Sequence, residues 1–390
     1  MRWWGGRRLA VGLLLWCGAL STLIAAPDAV SAHEPRAGVN AVASAHPLAT
    51  AAAFEIFAAG GNAFDAAVAI SATLAVVEPT GSGLGGGGFW LLHRASDQRQ
   101  IFVDGRETAP AAAHERMYQD SDGKAIDKAS RDGPLAAGIP GEPAALVHLA
   151  ERYGKLDLAR SLAPAIRAAR DGFACDDKLA GAFDRHWRRL SAEARRVFAI
   201  DGLPPVTGDR ILQPELALTL QRLAGNGHAG FYRGEVAQRL VDGSRRDGGI
   251  WSLEDLRSYR VVERKPTVSH FRNVRIVSAP PPSAGGITLG ATLGQLEALG
   301  WRGDQGVTGK HRVIEALRRA YRDRAAWLGA PDFVQVPQRW LLSTRYARAL
   351  AAGIDPDRAT RSADLEPAPP PPQGPQTTHF SVLDAQGNRV

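Results

Sequence analysis

The stretch from Asn62 to Gly88 constrains this chain more than any other. Asn62 can cap a helix and Asp65 falls at its third position, the spacing of a capping box. From Ala63 to about Val77 the residues are apolar nearly all round, which demands burial on most sides or a membrane. The length, with Asp65 and Glu78 near the ends, favours a buried helix inside a layered core. Pro79 stops it. The glycine run Gly81-Ser-Gly-Leu-Gly-Gly-Gly-Gly88 follows. Gly83-x-Gly85-x-x-Gly88 matches a dinucleotide fingerprint in form only, because that fingerprint needs a strand before it and a helix after it. Here a helix precedes and a strand follows. A close approach of backbone to a site or to packed core is the better account.

Around this stretch the pattern alternates between helices and strands. Pro47 to Ala59 reads as a helix ended by Gly60-Gly61. Phe89 to Leu92 and Ile101 to Val103 read as strands that deliver Asp104-Gly-Arg-Glu-Thr-Ala-Pro110. Pro134 to Phe198 is mostly helical, with Arg185 to Arg196 as a solvated helix face. Gln213 to Leu223 is a further helix, Pro266 to Ser278 alternates as strands, and Pro280-Pro-Pro-Ser-Ala-Gly-Gly286 turns into a helix from Ile287 to Leu299. His311 to Leu328 is amphipathic. Carboxylates beside arginines, such as Asp323 between Arg322 and Arg324, read as surface ion pairs.

With 390 residues the chain can bury a large core. The net charge of +7 comes mostly from arginine, with no basic block interleaved with aromatics, so nucleic acid is not an expected partner. Residues 1–32 read as an export signal: Arg2, Arg7 and Arg8, an apolar run from Leu9 to Ala26, and small residues Val30-Ser-Ala32. The expected location is periplasmic or secreted, and the alternative is a retained anchor across residues 9–26. Removal of this segment leaves Cys175 alone, so no intramolecular disulfide is expected and Cys175 reads as a packed thiol. Ten scattered histidines and no His-Glu-x-x-His give no metal site, and no cofactor is implied.

Near the end, a proline-rich run from Glu366 to Pro375 leads into Gln376-Thr377-Thr378-His379-Phe380-Ser381. A cut between Gln376 and Thr377 would give Thr377 a free α-amino group with a pKa of roughly 8, able to serve as base to its own hydroxyl. The bland alternative is the start of a strand.

Taken together, these pieces resemble the γ-glutamyltranspeptidase (glutathione hydrolase) family of N-terminal-nucleophile hydrolases. The resemblance runs from about Val39 to Val390. It rests on Gly60-Gly-Asn-Ala-Phe-Asp-Ala-Ala67, the glycine run through Gly88, Gly105-Arg-Glu-Thr-Ala-Pro110, Pro280 to Gly286, Ala320-Tyr-Arg-Asp-Arg-Ala-Ala-Trp-Leu-Gly329 and Thr377-Thr-His-Phe-Ser381. It implies a precursor that cleaves itself at Gln376–Thr377 into a large subunit, residues 33–376, and a small subunit beginning at Thr377, the two forming a heterodimer. It implies an α/β fold, the αββα four-layer sandwich. It implies Thr377 as the catalytic nucleophile, taking γ-glutamyl groups from glutathione and passing them to water or to amino-acid or peptide acceptors. Arg106 matches the arginine that holds the glutamyl α-carboxylate, a task suited to a permanently charged fork; otherwise Arg106 would pair with Asp104 or Glu107 at the surface. A glutaryl or cephalosporin-type acylase of the same superfamily, or an inactive remnant, are the other readings. Residues 377–390 are only the start of a small subunit, so the sandwich is expected to be incomplete and the chain as it stands uncut, inactive and poorly soluble.

Overall fold

Helix α1 (Pro47–Ala58) and helix α2 (Ala63–Val77) form where the sequence places them. In the computed structural model, which describes residues 38–365 and 378–390, every residue of α2 is buried. Its first turn closes as a capping box: Asn62 Oδ1 accepts from the Phe64 and Asp65 N–H groups at 2.9 and 3.1 Å, and Asp65 accepts from the Asn62 N–H at 2.9 Å. Asp65 also takes the N–H groups of Lys155 and Leu156, which tie the next helical pair to α2. Helices α3 (Glu142–Tyr153) and α4 (Leu158–Asp171) pack on α2 with α1, so its all-round apolar surface is covered. Phe64, Ile70 and Leu74 are each at most 2% exposed, and burial of such side chains contributes roughly 1.5–3 kcal/mol apiece.

The sheet beside these helices is antiparallel throughout. Strand β1 (Ala41–Ala43) pairs with Ser381–Leu383, with Val42 opposite Val382. The chain then turns through Asp384 to Asn388 and comes back at Arg389–Val390. Val382 and Val390 exchange both backbone hydrogen bonds at 2.9 Å, and Arg389 exchanges both with His93. His93 lies in strand β2 (Gly88–Arg94), which pairs with strand β3 (Arg99–Gly105), and β3 pairs with Val262–Arg264. The last ten residues therefore form a hairpin in the middle of the sheet, between β1 and β2. Alternation along β2 and β3 sorts the faces. Trp90, Leu92, Ile101 and Val103 point into the core with α2 and α3, while Phe89 and Phe102 meet on the other face with ring centroids 5.2 Å apart.

The expected helices and strands are present with small shifts in their ends. The glycine run lies between α2 and β2, as helix-then-strand order requires. Arg185 to Arg196 is not one helical face: a short turn at Trp187–Arg189 ends the helix Asp177–His186, and Ser191 caps a new helix, Ala192–Phe198. Asp323 is also not a surface ion pair. It is buried where the helix Val307–Trp327 meets the helix Thr344–Ala352, and it accepts from Arg322 Nη2 at 2.7 Å and from the Tyr346 hydroxyl at 2.9 Å. Cys175 is buried, and its burial pushes the thiol up to about 11, consistent with a packed, unreactive thiol. Among the described residues no helix is long and apolar enough to cross a membrane. The export-signal segment 1–32, its alternative as an anchor, the proline-rich run and the Gln376–Thr377 bond lie outside the described residues.

Candidate active site

The second residue after the expected scissile bond, Thr378, is held at the end of α2. Its hydroxyl donates to Glu78 Oε2 at 2.6 Å. Glu78 ends the helix because Pro79 cannot continue it, and the Glu78 carbonyl accepts from the Gly81 and Ser82 N–H groups, both at 2.9 Å. That turn opens the glycine run. Lys178, on the helix Asp177–His186, pairs with the other carboxylate oxygen of Glu78. At Gly81 an added Cβ would lie 3.7 Å from both Thr378 Cβ and Glu78 Oε2, so the turn passes close to both side chains.

The other end of the glycine run reaches Arg106. Pairing of Gly88 with Gly105 puts the run beside the exit of β3. A Cβ on Gly87 would lie 2.4 Å from the Gly105 carbonyl oxygen and 3.0 Å from the Arg106 carbonyl carbon, so a side chain there is excluded and the two backbones lie in contact. Arg106 itself is fixed through its main chain. Its N–H donates to Asp104 Oδ1 at 3.1 Å, and its carbonyl accepts from the Tyr259 hydroxyl at 2.7 Å. Its side chain is exposed, and among the described residues its guanidinium meets no carboxylate. The alternative pairing with Asp104 does not occur: Asp104 is buried and accepts instead from Arg264 Nε at 2.8 Å, while Arg264 also holds Asp332. Arg106 is thus a charged fork on a fixed backbone, presented to solvent beside the glycine run. That arrangement can take a carboxylate bidentately.

Beneath the run lies a second buried acid. The N–H groups of Gly141 and Glu142 donate to the Gly86 carbonyl at 2.8 and 3.0 Å, so the start of α3 supports the loop. The Glu142 carboxylate is buried and accepts from Ser71 Oγ at 2.7 Å. Burial, reinforced by the Glu107 charge, pushes it up to about 7. Among the described residues no group of three or more His, Cys, Asp or Glu side chains is placed to hold a metal ion.

Glu78 and Glu142 carry no signal in the sequence reading beyond their neighbourhood, and Thr378 figures there only as the second residue of the Thr377-to-Ser381 motif. Glu78 and Thr378 are 300 positions apart, and only the fold shows that they meet.

The fold has counterparts among known proteins. The crystal structure of Helicobacter pylori γ-glutamyltranspeptidase superposes with a TM-score of 0.80 at 37% identity, covering 83% of this chain and 94% of that one. A cephalosporin acylase from Bacillus halodurans superposes with a TM-score of 0.78 at 30% identity, covering 90% of this chain and 64% of that one. Both likenesses place the fold among the α/β N-terminal-nucleophile hydrolases. A profile of the γ-glutamyltranspeptidase family matches residues 49–390. The chain belongs to the γ-glutamyltranspeptidase family. The glutathione hydrolase proenzyme of Pseudomonas sp. (strain A14) is 39% identical over 383 residues, which is 95% of this chain and 65% of that proenzyme. The chain therefore spans about two thirds of the length of that relative.

Proposed function

We propose that this chain is the greater part of a glutathione hydrolase precursor that cuts itself between Gln376 and Thr377. The Thr377 hydroxyl attacks the Gln376 carbonyl, the C–N bond breaks, and the α-amino group of Thr377 takes up the proton. Water then hydrolyses the resulting ester, leaving the Gln376 carboxylate and the free Thr377 hydroxyl. In turnover that hydroxyl attacks the γ-glutamyl carbonyl of glutathione, the amine portion leaves with a proton, and water or an amino-acid or peptide acceptor takes the glutamyl group. Arg106 holds the α-carboxylate of the donor. The division into a large subunit, residues 33–376, and a small subunit from Thr377, associated as a heterodimer, follows from the same cut. Export through residues 1–32 would place the enzyme in the periplasm or outside the cell.

The observation that carries this reading is the loop from Glu78 to Gly88. One end seats Thr378, the covalent neighbour of the proposed nucleophile, and the other lies against the Arg106 backbone. The likeness to a cephalosporin acylase supports a second reading, in which a glutaryl amide is the donor. A glutaryl group keeps the carboxylate for Arg106 and lacks the amino group. Assay of the purified product of the full gene decides between them. Release of glutamate from glutathione, with little hydrolysis of a glutaryl amide, is expected. Preference for the glutaryl amide would favour the acylase.

A further inference from the structure

The acid at the end of α2 takes no part in the acyl-transfer steps above, yet it is built into the fold with some care. Glu78 is 6% exposed. It stands at the C-terminal end of a helix, where the macrodipole disfavours a carboxylate, and a residue serving only to fill space there would be apolar. Two partners from distant parts of the chain compensate it: the Lys178 ammonium and the Thr378 hydroxyl. The element that carries it is rigid, since α2 is buried along its whole length and the following turn is closed by two hydrogen bonds to the Glu78 carbonyl.

Thr378 is held from two directions. On its C-terminal side Phe380 packs against the core and Ser381–Leu383 is paired with β1. On its side chain it is held by Glu78. We propose that Glu78, backed by Lys178, is a positioning residue for self-cleavage. Through the Thr378 hydroxyl it fixes the residue on the amine side of the Gln376–Thr377 bond, and so sets the line along which the Thr377 hydroxyl meets the Gln376 carbonyl. Strand pairing alone starts at Ser381 and leaves three residues between the sheet and Thr377. The Glu78 contact adds a fixed point one peptide unit from Thr377. Misplacement of a reacting group by about 1 Å can cost on the order of 10²-fold in rate.

This inference rests on Thr377 being the nucleophile, and its test separates the two. The full-length precursor is made as wild type and as Thr377→Ala, Thr378→Val, Glu78→Ala and Glu78→Gln. The rate of appearance of the two chains is followed by gel and intact mass. The thermal midpoint of each substitution is measured in the Thr377→Ala background. Glu78→Ala and Thr378→Val should slow the cut by about 10- to 100-fold. Glu78→Gln keeps an oxygen to accept from Thr378, and Lys178 is 65% exposed and can be solvated, so this variant should cut within about threefold of wild type. Midpoints in the uncut background should not follow this order. Thr378→Val cutting at the wild-type rate, or losses in rate that simply track losses in midpoint, would remove the positioning role and leave Thr377 untouched. A wild-type precursor that stays whole, or a Thr377→Ala precursor that is cut, would instead bring down the self-cleavage reading together with this inference.

Discussion

Glu142→Gln tests whether the buried acid at the start of α3 is neutral. In the folded chain the Glu142 carboxyl lies out of reach of solvent and is pushed from the usual 4.5 up to about 7. An unfolded chain releases that proton near 4.5, whereas the folded chain keeps it until about 7. The native state therefore binds more protons across this window, and stability falls as pH rises through it. Above about 7 both states are ionised and the full penalty remains. At about 1.4 kcal/mol per pH unit, the window is worth on the order of 3 kcal/mol. Glutamine cannot ionise, and its carbonyl can still accept from Ser71. The assay is urea unfolding from pH 4.5 to 8, in a Thr377→Ala background so that a single chain is compared. The stability of Glu142→Gln relative to its parent should rise by about 3 kcal/mol between pH 4.5 and 8. A difference that stays flat over this range would mean that Glu142 is ionised in the folded protein and that the acid under the loop is solvated after all.

Two further predictions concern the ends of the site. Asp384 is buried and its carboxylate accepts from the N–H groups of Ala63, Gln386 and Asn388 and from Asn388 Nδ2, at 2.7 to 3.0 Å; Asp384→Ala should cost about 3–5 kcal/mol in chemical denaturation, and a loss under about 1 kcal/mol would show that the hairpin does not need this cap. Arg106→Ala should lower kcat/KM for a γ-glutamyl donor by about 30- to several-thousand-fold, with Arg106→Lys also poor because the fork is lost; near-normal kcat/KM in both would make Arg106 an ordinary surface arginine.

Local signals carried much of the architecture. Asn62 with Asp65, an unbroken apolar run and Pro79 specify α2 to the residue, because capping, propensity and burial all agree there. Strands β2 and β3 were legible in their centres, and only their lengths were short of the observed Gly88–Arg94 and Arg99–Gly105. What could not be read was pairing between buried polar groups far apart in the chain. Asp104 pairs with the Arg264 guanidinium and takes only the backbone N–H of its neighbour Arg106. Asp323 is buried against Tyr346, although a run of arginines around it suggests solvent. Asp384 caps α2 from 321 positions away. The sequence shows that these groups are polar; only the packing of one helix on another decides which lose water and must find a partner. The same holds at the site, where Arg106 and the Thr-Thr pair were visible as motifs and Glu78 was visible only as a charge at the end of a helix.

The central claim is that Thr377 is the nucleophile that cuts its own chain. N-terminal sequencing and intact-mass analysis of the full-length product, beside Thr377→Ala, test it most directly. Two chains should form in a protease-free preparation, the smaller beginning at Thr377, while Thr377→Ala stays whole. A small chain that begins at another residue, or a Thr377→Ala precursor that still splits, would contradict it.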